Sequence, residues 1–204
     1  MENFEKIYDF LNTVNNLKKT MRFGAAETKN LLEESSADHS WRLSLMTFMI
    51  ADELKLNINV EKALKLAIVH DIAESVCGDV DNRLIVEGRV TKEEKKKNEM
   101  EAIEKLRTML PEERGNEIYN LFMEYETAST REGKFIKALD KIECLIHINE
   151  KGHKAIDMPD VIAPYADEAV KNFPELMEIK KAVKSKLKQE FEKGGFKWKE
   201  EYNG

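Results

Sequence analysis

The chain has 204 residues, a length that fits one domain. It contains only 9 glycines and 4 prolines, too few turn-forming residues for an all-β barrel or a disordered chain. Charged residues make up 35% and hydrophobic residues 42%, which is typical of amphipathic helices with solvated outer faces. The formal net charge is −6, and nucleic-acid-binding proteins normally carry a basic face, so we expect no nucleic acid polymer as a partner.

Cysteine usage and hydropathy indicate the compartment. Cys77 and Cys144 are the only cysteines and form no CxxC pair, which favours reduced thiols in a cytosolic protein. Residues 1–10 carry acids within an amphipathic pattern and do not have the character of a signal peptide. No apolar run approaches the roughly 20 residues of a membrane span. We therefore expect a cytoplasmic protein with no membrane partner.

The first half of the chain shows apolar residues at helical spacing. They predict helices over 3–20, 40–54, 60–75 and 91–110. The segments 21–40 and 79–90 lose this periodicity, and we expect them to be loops. Thr91 and Glu94 form a capping box, which predicts where the fourth helix begins.

The second half of the chain continues the helical pattern. Pro111 suits the first turn of a helix that runs to about residue 128. A helix over 131–150 follows, and one or two more lie within 166–193. The tail 194–204 is rich in Gly, Lys and Glu, so we expect it to be flexible. The sequence thus predicts one all-α domain of six to eight helices over 1–193, followed by a flexible tail.

The segment 66–74, LAIVHDIAE, is the most informative part of the sequence. His70 and Asp71 are adjacent within a mostly apolar helical stretch, and Glu74 stands one turn after His70. Burying a carboxylate and an imidazole is costly unless they are paired or bound to a metal. The ordinary alternative is a surface pair between His70 and Glu74, with Asp71 in the last turn of the helix.

Three other groups could complete a site with this segment. His39 stands just before the second predicted helix, where a loop can direct it inward, although a histidine at a helix start is commonly exposed. Asp140 shares a helix face with Ile136 and Cys144, so its carboxylate needs a partner, and a lysine salt bridge is the alternative. Asp79 follows the third predicted helix, where it could simply be a turn carboxylate.

The order of these residues resembles the signature of the HD-domain metal-dependent phosphohydrolases: His39, then His70-Asp71, then Asp140. Further strings are similar to the 5′-deoxynucleotidase branch of that family: DHS at 38–40, LAIVHDIAE at 66–74, GD at 78–79, EYE at 124–126 and KALDK at 137–141. The resemblance covers about residues 5–180. It implies an all-α HD fold.

The resemblance implies one divalent metal ion with four ligands: His39, His70, Asp71 and Asp140. Two imidazoles and two carboxylates suit a first-row transition metal better than Ca²⁺. Zn²⁺, Mn²⁺, Co²⁺, Ni²⁺ and Fe²⁺ remain candidates. The other histidines, His147 and His153, lack the spacing of HD proteins that bind two metals.

The resemblance also implies roles for residues around the metal. Glu74 would be the acid/base residue, and Asp79 would accept a hydrogen bond from a sugar hydroxyl or from the attacking water. Arg22 would bind phosphate and Phe23 would lie near the sugar, because Arg22-Phe23 is the nearest match to a nucleotide-contacting pair of this branch. The expected reaction is hydrolysis of a phosphate monoester, with a (deoxy)nucleoside 5′-monophosphate as substrate. The expected assembly is a homodimer.

Two other functions stay open. One is a phosphohydrolase that acts on another small phosphate ester or on a nucleotide diphosphate. Ser75 argues against the (p)ppGpp hydrolases, which usually carry a second acid at this position after the HD-x-x-E core. The other is a non-catalytic metal-binding module that senses a ligand. Against it, every expected metal ligand is present and no sensor or output domain is visible.

Several residues near these motifs are expected to have ordinary structural roles. We expect Trp41 in the core, Cys77 as a small buried hydrophobic residue, and His147 outside the pocket. The run Lys95–Lys97 is expected to be a solvated helix face.

Overall fold

Helices and the turns between them make up the computed structural model, which describes residues 1–204. The α-helices are α1 (Glu2–Val14), α2 (Ser36–Glu53), α3 (Val60–Val69), α4 (Glu74–Cys77), α5 (Asn82–Val86), α6 (Lys92–Met109), α7 (Glu112–Thr127), α8 (Arg131–Lys151), α9 (Pro159–Ile162), α10 (Asp167–Lys171) and α11 (Met177–Lys193). The only β-type pairing is an isolated bridge between Met21 and Ser35. The all-α prediction is therefore confirmed. None of the helices combines the length and the apolar character that a membrane crossing requires.

The helix α8 is the central element of the fold. Its side chains are buried over most of its 21 residues, because α2, α3, α7, α10 and α11 pack around it. A helix enclosed in this way has few solvated positions, so each ionisable residue within it needs a partner. Asp140, at the middle of α8, is held in this environment.

The helix α2 begins at Ser36, four residues earlier than predicted. The Ser35 hydroxyl accepts a hydrogen bond from the Asp38 amide, and the Asp38 carboxylate accepts one from the Ser35 amide. This reciprocal cap uses aspartate where glutamate is usual, so the sequence signal was weak. His39 consequently lies in the first turn of α2 rather than in the preceding loop.

The helix predicted over 60–75 is shorter in the structure, because α3 ends at Val69. The chain then tightens into a turn in which the amide of Ile72 donates to the carbonyl of Val69 at 3.0 Å, and α4 begins at Glu74. A segment in which each amide donates to the carbonyl three residues earlier is wound more tightly than an α-helix. The segment predicted as irregular, 79–90, also contains the short helix α5.

The tail expected to be flexible is packed in this structure. Phe196, Trp198 and Tyr202 surround Phe191 of α11, with ring centroids 5.9, 5.1 and 6.0 Å away. Lys184 Nζ donates to the Tyr202 carbonyl at 2.6 Å. The expectation of flexibility relied on the Gly-, Lys- and Glu-rich composition and overlooked the three aromatic residues that anchor the tail. The proposed domain boundary at residue 193 stays a prediction.

Trp41 is not a core residue, contrary to expectation, because 69% of its surface is exposed. Trp41 follows His39 by two positions, and two helical residues differ by about 200° in direction. Since His39 is fully buried, Trp41 is turned towards solvent. Leu45, Phe48 and Met49 extend the same exposed apolar side of α2.

Candidate metal centre and its cavity

Four residues predicted as metal ligands come together from three helical regions. His39 lies in α2, His70 and Asp71 follow the last residue of α3, and Asp140 lies in α8. His39 Nε2 is 3.1 Å from both His70 Nε2 and Asp140 Oδ1. Asp71 Oδ2 is 3.0 Å from His70 Nε2 and 3.9 Å from His39 Nε2. His39 is thus the shared centre of the cluster.

In His39 and His70, the contact made by Nδ1 determines whether Nε2, which faces the cluster, carries a proton or a lone pair. His70 Nδ1 lies 2.9 Å from the Ala67 carbonyl, which can only accept, so Nδ1 is the donor. His39 Nδ1 in the same way contacts the Glu143 carboxylate. In neutral rings, both Nε2 atoms therefore present lone pairs to each other and to two carboxylates. A divalent cation fits this donor set.

The charge balance of the cluster supports the same conclusion. Burial and Arg22 oppose the charged form of His39, yet hydrogen bonds to Asp140 and Glu143 raise its pKa to about 9. Burial also opposes ionisation of the two aspartates, but His70 and Arg22 hold the pKa of Asp71 below its usual range. Lys141 and His39 do the same for the pKa of Asp140. Ionised buried carboxylates of this kind require positive charge close by.

Contacts that the sequence did not reveal hold the ligand side chains in place. Tyr125 donates its hydroxyl to Asp140 Oδ2 at 2.7 Å, and Lys141 Nζ lies 2.8 Å from the same oxygen. The lysine salt bridge considered for Asp140 therefore exists, but it leaves Oδ1 directed at His39. One carboxylate oxygen of Glu143 contacts His39, and Arg42 binds the other oxygen. Lys141 is adjacent to Asp140 in the sequence, but Tyr125 and Glu143 reach their partners across distant parts of the chain, so only the folded chain identifies those contacts.

A cavity of about 550 Å³ opens beside the cluster. His70, Asp71 and Asp140 line it, whereas the fully buried His39 does not. An apolar part of the wall consists of Ile148, Met158, Val161, Ile162 and Tyr165. A volume of this size accommodates a small organic molecule.

Glu74 and Asp79 both line this cavity, as the expected acid/base and substrate-orienting roles require. Glu74 is 6% exposed, and the Ser36 hydroxyl donates to its Oε2 at 2.6 Å. Burial, together with the charges of Asp71 and Asp79, raises the pKa of Glu74 well above its usual value. Burial raises the pKa of Asp79, although Arg22 and Lys95 oppose the shift. Both carboxyl groups therefore bind a proton more readily than free carboxyl groups do.

Arg22 and Phe23 also line the cavity. Arg22 is only 12% exposed, and its Nη1 donates to Asp71 Oδ2 at 3.2 Å. Phe23 has a φ of 59°, a backbone conformation that is uncommon for a bulky residue. Its ring stacks on His147 with centroids 5.5 Å apart, and His147 itself is buried behind the cavity, as expected.

One expectation about ordinary roles was wrong, and another was incomplete. Cys77 is exposed rather than buried, because it ends the short helix α4 beside Gly78. Lys96 and Lys97 are exposed, as expected for a solvated face, but Lys95 and Lys96 also line the cavity, because the first turns of α6 lie against its mouth. Cys144 lies inside the cavity wall, where Arg22 Nη2 is 2.8 Å from its Sγ.

An all-α domain in which adjacent His70-Asp71 join a second histidine and a second aspartate in one cluster has the arrangement typical of HD domains. A sequence model of this domain, described as "HD domain", matches residues 14–192. The chain therefore belongs to the HD domain family, and the resemblance found in the sequence is confirmed.

Curated relatives identify a branch to which the chain is similar. The human 5′-deoxynucleotidase HDDC2 is 36% identical over 147 residues, which cover 71% of this chain and 67% of the relative. The 5′-deoxynucleotidase hdd1 of Schizosaccharomyces pombe is 38% identical over 152 residues, which cover 72% and 73%.

Solved structures agree on the fold. A protein titled "predicted metal-dependent phosphohydrolase" from Magnetospirillum magnetotacticum superposes with a TM-score of 0.77 over 95% of both chains, at 21% identity. A conserved hypothetical protein from Pyrococcus furiosus gives a TM-score of 0.70 at 30% identity, over 87% of this chain and 99% of that chain.

Proposed function

We propose that this protein is a metal-dependent phosphohydrolase that converts a (deoxy)nucleoside 5′-monophosphate to nucleoside and phosphate. The observation that carries the proposal is the convergence of two imidazole lone pairs and two carboxylates at a cavity that also contains Glu74 and Asp79. The similarity to proteins named 5′-deoxynucleotidase favours nucleoside monophosphates over other esters.

In this proposal His39, His70, Asp71 and Asp140 hold one divalent ion. Such an ion, when bound, neutralises phosphate charge and makes water more acidic. The mixed nitrogen and oxygen donors favour Zn²⁺, Mn²⁺, Co²⁺, Ni²⁺ or Fe²⁺ over Ca²⁺. Lys141 and Tyr125 keep the Asp140 carboxylate fixed, and Glu143 keeps the His39 ring fixed.

Glu74 is the proposed proton-transfer residue. Its raised pKa favours the protonated carboxyl more than in a free glutamate, and that proton can pass to the oxygen of the leaving nucleoside. The hydrogen bond from Ser36 fixes which oxygen of Glu74 faces the cavity. Asp79 accepts a hydrogen bond from a sugar hydroxyl or from the attacking water.

The remaining substrate contacts follow from the cavity wall. Arg22 provides positive charge beside Asp71, and Phe23 provides an apolar surface for the sugar. The apolar wall of Val161, Ile162 and Tyr165 offers a surface for the nucleoside rather than for the phosphate.

The test is phosphate release from 5′-dAMP and 5′-AMP by chelator-treated protein with each candidate metal added back. We expect turnover only when a divalent metal is present. A metal-loaded protein that is inert towards every nucleoside monophosphate would contradict the nucleotidase proposal and favour another phosphate ester or a nucleotide diphosphate.

We further propose a homodimer in the cytoplasm. The exposed apolar side of α2, with Trp41, Leu45, Phe48 and Met49, supports self-association because such patches commonly lie in interfaces. The two cysteines are unpaired, which supports a reducing compartment. Light scattering should give twice the 23.6 kDa mass of the chain, and a monomer mass at micromolar concentration would contradict the dimer.

A further inference from the structure

The cationic side chains around the cavity differ in whether they already have partners. Arg22 is engaged by Asp71 at 3.2 Å and by Glu34 at 3.4 Å. Arg83 lies 2.9 Å from Asp157. Both guanidinium groups therefore already face acidic side chains, although Arg22 Nε has no hydrogen-bond partner.

The two cavity lysines of α8 are engaged as well. Lys141 Nζ lies 2.8 Å from Asp140 Oδ2, and its side chain is 28% exposed. Lys137 donates to the Glu126 carbonyl at 3.0 Å and lies 3.8 Å from its carboxylate. Each of the two α8 lysines therefore already has a hydrogen-bonding or ion-pair partner within 3.0 Å.

The helix α6 presents a different face to the cavity. Lys92, Lys95, Lys96 and Glu99 line it at positions i, i+3, i+4 and i+7, which share one side of a helix. Lys92 and Lys96 are exposed and form no ion pair. Lys97, in the same run, points away from the cavity and is 74% exposed.

Lys95 is the member of this face that can reach inwards. Its side chain is 30% exposed, and its ammonium lies 3.6 Å from Glu99, a distance that leaves the pair loose. Burial opposes its charge, but the carboxylates of Glu99, Asp79 and Asp71 raise the pKa of Lys95. The ammonium is thus charged and lies within the electrostatic range of the cluster that holds the metal in the proposed function.

We propose that this lysine face of α6 is the anion-binding wall of the site: Lys95 contacts the phosphoryl group of the substrate, and Lys92 with Lys96 attracts it to the mouth of the cavity. The proposal rests on the proposed hydrolysis for the identity of the substrate. It adds a second cationic wall to Arg22, whose Nη1 is already paired with Asp71.

The test is binding of inorganic phosphate to the Mn²⁺-supplemented protein, measured by calorimetry beside the KM for 5′-dAMP. Lys95→Gln should raise the phosphate Kd and the KM about tenfold, since a hydrogen bond to a charged group is lost. Lys95→Arg should restore most of both values. Lys97→Gln is the matched control, with the same charge change on the same helix, and it should change neither value.

The mouth lysines have a separate readout. In the double variant Lys92→Gln/Lys96→Gln, kcat/KM should depend less on salt than in the wild type, because exposed charges that steer an anion are screened by salt. Equal salt dependence in the two proteins would overturn this part of the proposal.

The outcomes separate this inference from the proposed function. If the wild type is inert on nucleotides but Lys95→Gln still weakens phosphate binding, the function fails and the anion wall stands. If Lys95→Gln binds phosphate and 5′-dAMP as the wild type does, or if Lys97→Gln has the same effect as Lys95→Gln, the inference is overturned. Absence of phosphate binding by the wild type would overturn it too.

Discussion

The α8 and α6 walls of the cavity both carry lysines and acids, but they use them differently. On α8, the buried Asp140 carboxylate lies 2.8 Å from the ammonium of the partly exposed Lys141. On α6, Lys95 and Glu99 are 3.6 Å apart, and the other two lysines that line the cavity, Lys92 and Lys96, have no acidic partner. The α8 wall is a fixed charge network, whereas the α6 wall retains charge that a ligand can use.

This difference follows from the position of each helix. The helix α8 is enclosed by others, and a buried charge is tolerated only when its partner is present. The helix α6 packs through one side on α1, α4 and α7 and keeps its remaining positions near solvent, where unpaired lysines cost little. Rigid geometry suits a metal site, and available charge suits an arriving phosphate.

The largest effect is expected from breaking the α8 network at the metal centre. Asp140→Ala and His70→Ala should each abolish metal binding and turnover, because a four-ligand set loses one member. Asp140→Ala should also destabilise the fold by about 3–5 kcal/mol, since Lys141 and His39 lose a buried partner. Elemental analysis and thermal unfolding measure the two effects.

His153→Ala is the control for these variants, because His153 is 39% exposed and lies outside the cluster. It should retain the wild-type metal content. Unchanged metal content in His70→Ala would show that the four residues are not the ligands.

Glu74→Gln should have the next largest effect. The amide keeps the size of the side chain and can still accept the hydrogen bond from Ser36, but it cannot transfer a proton. We expect kcat to fall about 10²–10⁴-fold with the metal content and KM little changed. Glu61→Gln, at an 80% exposed position on α3, should behave as wild type. A Glu74→Gln enzyme with nearly normal kcat would remove Glu74 from the mechanism.

Glu143→Gln sharpens the comparison further, because it loosens the α8 network without removing a ligand. The weaker contact to His39 Nδ1 should reduce metal affinity about 10–100-fold, and excess metal should restore activity. Glu150→Gln is the matched control: Glu150 binds the same Arg42 at 2.6 Å from a more exposed position on α8. Equal metal dissociation constants for both variants would contradict a positioning role for Glu143.

The smallest effect is expected on the α6 wall. Glu99→Gln removes the acid that faces Lys95, so phosphate should bind more tightly, by about two- to fivefold for a loose ion pair. Glu101→Gln is the control: it removes the acid that pairs with Lys97, outside the cavity, and should leave phosphate affinity unchanged. Weaker phosphate binding by Glu99→Gln would indicate that Glu99 holds Lys95 in its binding position.

Much of the fold could be predicted from the sequence, and the errors have physical causes. The capping box of Thr91 and Glu94 placed the start of α6 correctly. The start of α2 was missed because Asp38 caps it in place of a glutamate. The prediction for Trp41 was wrong because hydrophobicity alone does not show which side of α2 is buried. Burial of His39 turns Trp41 towards solvent.

The residues of the candidate site also fall into a group that the sequence could predict and a group that it could not. Residue type and spacing made His39, His70, Asp71, Asp140 and Glu74 candidates, and the resemblance of their order to the HD-domain signature selected them. Their partners Glu143, Tyr125 and Arg42 could not be predicted, because their contacts join distant parts of the chain and depend on how the helices pack.

By itself, the sequence determined the helical class, the family and the set of groups that can hold a metal, since these depend on local periodicity and residue chemistry. Only the tertiary structure decided which charges around the cavity are free. Arg22 and Lys95 are both cations in the sequence, but packing places Arg22 Nη1 3.2 Å from Asp71 and leaves the Lys95 ammonium 3.6 Å from Glu99. Charge is a property of a residue, whereas its availability to a ligand depends on the neighbours that the fold places within a few ångströms.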